Sequence, residues 1–199
     1  MKSNAIELGD TLLPTFEGKV GDSIYMLPFL RDDISNIPDK YKDLVQKIMG
    51  FIPYFIGKAY LTVDQKLINK PGKRHRRGGL HVDGNYVQGG WGGDSGGWLN
   101  GISGIMNTPQ EHQEMYLTEG MGTILASDYP ACQVWSGEFN GEPSHGGNCD
   151  HLRDELADKE TYILTPNKLY WLTHGCVHES MPIEEVVKRT LIRVTLPIK

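Results

Sequence analysis

What the chain has little of narrows the field first. It holds three cysteines, Cys132, Cys149 and Cys176, odd in number and widely spaced. No disulfide framework is expected from them, and a reducing, cytoplasmic home is. No apolar run reaches the length that crosses a bilayer as a helix, so no membrane partner is expected. The polar opening Met1-Lys2-Ser3-Asn4, with Glu7 and Asp10 behind it, does not read as a secretory leader. Surplus positive charge is missing too: 20 Lys and Arg against 25 Asp and Glu leave a net charge of −5, which argues against a general nucleic-acid coat protein. There is no nicotinamide fingerprint, phosphate loop or base-reading motif. Oligomeric state is not readable.

What the chain has in plenty is turn formers, 24 glycines and 11 prolines in 199 residues, with little long helical periodicity. That mixture predicts a mainly β architecture. The length suits a single domain with a real core, read here as residues 1–57, a flanking segment with a helix, and 58–199, the β core. The helix is predicted over Pro38 to Met49: proline suits a first turn, Tyr41, Leu44, Ile48 and Met49 form an apolar stripe, and Gly50 stops it. Lys58 to Ile68 alternates like a strand, with Ala59, Leu61 and Val63 opposite Tyr60, Thr62 and Asp64. Further strands are expected at 114–117, 122–127 and 131–139, and a short helix at Leu152 to Ala157.

The chemistry gathers in Arg77-Gly78-Gly79-Leu80-His81-Val82-Asp83-Gly84. On a strand, the period of two projects His81 and Asp83 to one face and Val82 to the other. One imidazole and one carboxylate make two thirds of a 2-His-1-carboxylate triad, the usual cradle of a non-haem Fe(II) with open positions. Tyr170 to Ser180, aromatic and β-branched, reads as a strand ending at Pro182 and offers a third ligand, His174 or His178. On one regular strand both would face the same way. A last strand, Lys188 to Leu196, alternates Thr190, Ile192, Val194 and Leu196 against Arg189, Leu191, Arg193 and Thr195. Two arginines on one face of an apolar strand call for something anionic, and guanidinium forks grip carboxylates.

His81-x-Asp83, then His178, then Arg189 eleven positions later resembles the Fe(II)/2-oxoglutarate-dependent oxygenase superfamily. The spacing is similar to taurine-dioxygenase-like and phytanoyl/prolyl-hydroxylase-like members. The likeness covers roughly Ala59 to the C-terminus and favours His178, leaving His174 behind it or at the mouth. The resemblance implies a double-stranded β-helix (a jelly-roll, cupin-like core), with His81, Asp83 and His178 as the metal and catalytic residues. It implies Arg189, and Arg193 beside it, as cosubstrate-binding residues, with Fe(II), 2-oxoglutarate and O2 as cofactors. Tyr60 or Thr62 could point a hydroxyl into the same barrel. A carboxylate ligand, where halogenating relatives carry a small residue, points to hydroxylation. A small molecule or a protein side chain is the expected substrate.

Alternatives stay open. The barrel could be a cupin-like metal- or ligand-binding module without turnover, against which the arginine pair argues. It could be an oxidative nucleic-acid-modifying enzyme, with Lys70 to Arg77 on phosphates. That basic run is either a solvated loop or a rim of positive potential beside the metal. The glycine- and tryptophan-rich tract Asn85 to Gly104, with Trp91 and Trp98, is either a flap over the site or a plain insertion. His145, Cys149 and His151 could make a rival zinc site, although no fourth ligand falls at a familiar spacing.

Overall fold

A computed structural model of the chain describes residues 1–16, 18, 20–52, 57–83, 122–144 and 147–196. The expected strand at 114–117 and the 85–104 tract lie outside the described residues. The chain is mainly β, and among the described residues all strand pairs are antiparallel. The strands are β1 (Lys2–Ser3), β2 (Ala5–Asp10), β3 (Val20–Leu30), β4 (Lys58–Ile68), β5 (Lys73–Arg74), β6 (Thr123–Ser127) and β7 (Cys132–Glu138). Then follow β8 (Glu160–Ile163), β9 (Lys168–Leu172), β10 (Val177–Ser180), β11 (Pro182–Ile183) and β12 (Val187–Thr195).

A six-stranded sheet runs in the order β2-β9-β6-β12-β4-β3. A four-stranded sheet is centred on β7, which carries β8 along one edge and β1 and β10 along the other. β5 and β11 form a two-stranded ribbon. The N-terminal segment is therefore more than a flank: β2 and β3 edge the large sheet, and β1 joins the small one.

Helix α1 (Asp39–Phe51) follows Pro38, which holds the capping position. The expected stripe is buried, with Val45 added to it. Gly50 does not end the helix, which runs to Phe51 and stops where Ile52 turns extended. α1 covers one face of the large sheet. Tyr41, Leu44, Val45 and Ile48 pack on Ala59, Leu61 and Val63 of β4, Ile124 of β6 and Ile192 and Val194 of β12. Burying each large aliphatic side chain there is worth about 1.5–3 kcal/mol. The opposite face of the same strands meets the small sheet through Leu125, Cys132, Val134, Tyr170, Leu172 and Leu191.

Two expected elements differ. The run from Tyr170 to Ser180 is two strands, β9 and β10, broken by a turn at His174-Gly175. Gly175 is needed there, because a Cβ would lie 2.6 Å from the Lys2 carbonyl oxygen. The short helix is 3₁₀ rather than α and spans Asp150–Asp158.

Candidate metal centre

The His81 segment is not a full strand. It is one bridging position held from both sides. His81 and His178 exchange both backbone hydrogen bonds, each N–H to the other's carbonyl at 2.9 Å. On its other edge, Val82 N–H donates to Gly147 O (2.9 Å) and Cys149 N–H to Leu80 O (2.8 Å). Asp150 secures the start of the segment, its Oδ1 accepting from Leu80 N–H at 2.9 Å. Gly147 sits at φ +73°, and a Cβ on it would lie 2.6 Å from Val82 O. Directly opposed residues of an antiparallel pair point to the same side. The two imidazoles therefore meet, with ring centroids 4.4 Å apart, although they lie almost a hundred positions apart in sequence. Leu80 and Val82 turn the other way, into an apolar cluster with Trp135, Phe139, Leu152 and Val177.

Asp83 completes the group. One ligand atom from each of His81, Asp83 and His178 can be chosen so that all lie within 4.8 Å of one another, a buried set that could hold a metal ion. The ring chemistry fits. His81 Nδ1 lies 2.7 Å from Gly79 O, and His178 Nδ1 lies 2.9 Å from Cys176 O. A carbonyl oxygen only accepts, so each Nδ1 carries the proton and each Nε2 keeps its lone pair for a metal. Burial, and then the neighbouring His178, bring the His81 pKa down to about 3, so this imidazole is neutral at ordinary pH. Burial pushes the Asp83 carboxyl up, but the charge of Arg193 beside it outweighs this and keeps the group ionised. Two imidazoles and one carboxylate suit a divalent metal with open positions.

The triad lines a cavity of about 430 Å3, part of it open to solvent, together with Arg76, Arg77, Leu125, Cys132, Ser180, Arg189, Leu191 and Arg193. β12 supplies the last three on one face, as its alternation predicts. Their roles separate. Arg193 Nη1 donates to Asp83 Oδ1 at 2.9 Å, so this guanidinium holds the carboxylate ligand. Arg189 is 1% exposed. Its Nε donates to Ser127 Oγ at 3.0 Å and the Asp128 carboxylate acts on its charge, while its Nη1 is buried without an acceptor among the described residues. Such a guanidinium is costly to bury unless something anionic meets it.

Tyr60 and Thr62 lie on the same sheet face as Arg193, which pairs with Thr62. Neither is among the cavity-lining residues. Thr62 Oγ1 accepts from Met26 N–H at 3.2 Å, where Met26 takes a φ of +52° inside β3. His174 sits half-buried in the β9–β10 turn, outside the triad. In the rival zinc set, His145 lies outside the described residues, Cys149 is buried in the apolar cluster and His151 is exposed. The basic run divides between its two readings. Lys70 and Lys73 are exposed, whereas Arg76 and Arg77 line the cavity.

Leu125, Cys132 and Ser180 escaped the sequence reading. Leu125 was findable only through strand pairing, since it stands opposite Arg193. Asp64 was also missed as a site neighbour; it lies 3.1 Å from His75 Nε2 and 3.3 Å from Arg76 Nη1. No family model, curated protein or solved structure matches the chain, so its chemistry is to be read from this geometry.

Proposed function

We propose that the protein is an Fe(II)- and 2-oxoglutarate-dependent oxygenase of the hydroxylase type, acting on a small molecule or a protein side chain. The observation that carries the reading is the convergence, in one cavity, of a His81–Asp83–His178 donor set and a buried guanidinium with an unmet donor, Arg189 Nη1. A barrel that only stores metal has no use for Arg189. A carboxylate clamp does.

The strand order supports a double-stranded β-helix. From β4 onward, β4, β6, β9 and β12 belong to the large sheet, and the His81 bridge, β7, β8 and β10 to the small side. In chain order the segments run large, small, large, small, small, large, small, large. Such an alternation supports the winding of a double-sheet jelly roll.

When bound, ferrous iron supplies the redox chemistry that couples O2 and 2-oxoglutarate to substrate C–H oxidation, giving succinate, CO2 and the hydroxylated product. The chain's own residues do the rest. His81, Asp83 and His178 would hold the metal from one side. Arg193 keeps Asp83 ionised and aimed. Arg189 would pair with a carboxylate of the cosubstrate in a site where exclusion of water strengthens the attraction. Leu125 and Leu191 wall the cavity beside them and orient what enters. Asp83, being a carboxylate ligand, supports hydroxylation over halogenation.

The test is incubation of purified protein with Fe(II), ascorbate and 2-oxoglutarate, following succinate. Slow metal-dependent release that Arg189→Gln suppresses is expected. No succinate and no 2-oxoglutarate binding would leave a cupin-like binding barrel instead.

A further inference from the structure

The cavity changes character along its length. At one end stand the triad and Arg193, whose Nη1 holds Asp83. At the other stands Arg189, with its Nε on Ser127 Oγ, Asp128 acting on its charge, and its Nη1 without an acceptor among the described residues. The two arginines are four positions apart on β12, about 13 Å along the strand. Leu191 sits midway between them and lines the same cavity. The large sheet therefore offers an apolar middle between two polar ends.

The small sheet contributes Cys132 to that middle. This residue opens β7 and stands opposite Ser180 of β10, two positions, about 7 Å, beyond His178. Cys132 and Leu191 belong to one buried cluster, and both line the cavity. The charges of Arg189 and Asp83 both act on the Cys132 thiol, so it lies within reach of either end. Burial pushes this thiol up to about 12, which makes it a neutral S–H and no nucleophile at ordinary pH. Metal binding and the carboxylate clamp both leave it unused. What it brings is a small, soft, uncharged surface.

We infer that Cys132, together with Leu191, sets the length of oxo diacid that the cavity accepts, its small side chain leaving room for the methylene groups of 2-oxoglutarate between the metal and Arg189. The inference rests on the oxygenase reading and adds a specificity-determining residue to it. A diacid held at both ends must lay its methylenes along the middle of the cavity. A thiol and an isobutyl group cover them there without competing for either carboxylate. One methylene too many or too few in a fitted apolar pocket is worth about 10–200-fold in discrimination.

The experiment is calorimetry on anaerobic Fe(II) protein with oxo diacids of four, five and six carbons: oxaloacetate, 2-oxoglutarate and 2-oxoadipate. Wild type is expected to bind 2-oxoglutarate most tightly. Binding of none of the three overturns the oxygenase reading and this inference with it. Cys132→Ala, which widens the middle, should shift the preference toward 2-oxoadipate by about tenfold relative to wild type. Cys132→Leu, which fills it, should lose about tenfold or more for 2-oxoglutarate and less for oxaloacetate. Shifts in opposite directions are a signature that a general loss of packing does not give. Cys149→Ala, in the apolar cluster around Leu80 and Val82 and outside the cavity lining, should keep the wild-type preference. Fe(II) affinity and thermal midpoints check that each variant keeps its metal site and its fold, and if Cys132→Leu does not fold, Cys132→Ala decides alone. Three results would overturn the inference while leaving the oxygenase reading intact: wild type prefers another length, Cys132→Ala keeps the wild-type order and ratio of affinities, or Cys149→Ala shifts them as much as Cys132→Ala does.

Discussion

The two faces of the six-stranded sheet are made by the same strands and do opposite work. On the face beneath α1, the alternate residues of β4, β6 and β12 that the helix covers are aliphatic, and Leu61, Val63, Ile124, Ile192 and Val194 are 0–1% exposed. On the other face the intervening positions are Thr62 and Asp64 of β4, with Arg189, Leu191 and Arg193 of β12. One face supplies the burial that pays for folding. The other carries charge, part of it paired within the protein and part, the Arg189 guanidinium, left with a donor that a ligand could meet. The period of two lets a single strand such as β12 serve both ends without compromise at either.

The largest effect that would sharpen this contrast is loss of the metal. His178→Ala is expected to weaken divalent-metal affinity by more than about a hundredfold, beyond the 10- to 100-fold usual for groups behind a ligand. Its thermal midpoint without metal should stay near wild type, and calorimetry with thermal melts reads both. Leu61→Ala, on the helix face, should do the reverse: about 2–5 kcal/mol of stability lost in denaturant titration, with metal affinity kept in the folded protein. A Leu61→Ala protein that folds normally but no longer binds metal would break the comparison. Arg193→Gln should reduce metal affinity roughly 10- to 100-fold by loosening Asp83.

Acid sensitivity should follow the charged face. Burial pushes the Asp64 carboxyl up, but the His75 ring 3.1 Å away and the charges of Arg76 and Lys66 outweigh it and bring it to about 2. A carboxyl depressed in the folded state stabilises it above the unfolded value of about 3.8, and this contribution fades as pH falls toward 2. It is worth about 2 kcal/mol. Asp64→Asn should therefore show a shallower loss of stability across that window, measured by urea titration at stepped pH. Smallest in magnitude, and opposite in sign, is Arg189→Met. Replacing a buried guanidinium that has one unmet donor by an apolar side chain should leave ligand-free stability unchanged or raise it by about 1 kcal/mol, read as a rise in the urea midpoint. A clear fall would mean that Arg189 belongs to the structure rather than to a ligand.

Local periodicity made much of this legible from residues alone. The β4 bounds, the α1 stripe, the split of β12 into an arginine face and an aliphatic face, and the shared face of His81 and Asp83 followed from alternation and spacing, whereas the choice of His178 over His174 came from the family resemblance. What escaped depended on contacts between distant segments. The turn at His174-Gly175 arises because β1 passes close by, through Lys2, which no local pattern reports. The embrace of Arg193 and Asp83 brings together residues 110 positions apart, so the pair of arginines looked equivalent in sequence and is not. The joining of β1, β2 and β3 to the sheets was hidden for the same reason, since short strands with mixed polarity gain definition only from their partners.

The most direct test is anaerobic titration of 2-oxoglutarate into four samples: wild-type and Arg189→Gln proteins, each with and without Fe(II). The account predicts saturable binding by the wild-type protein that needs the metal and falls by about a hundredfold or more in the variant. Binding that is absent, or that is indifferent to both the iron and Arg189, would contradict it.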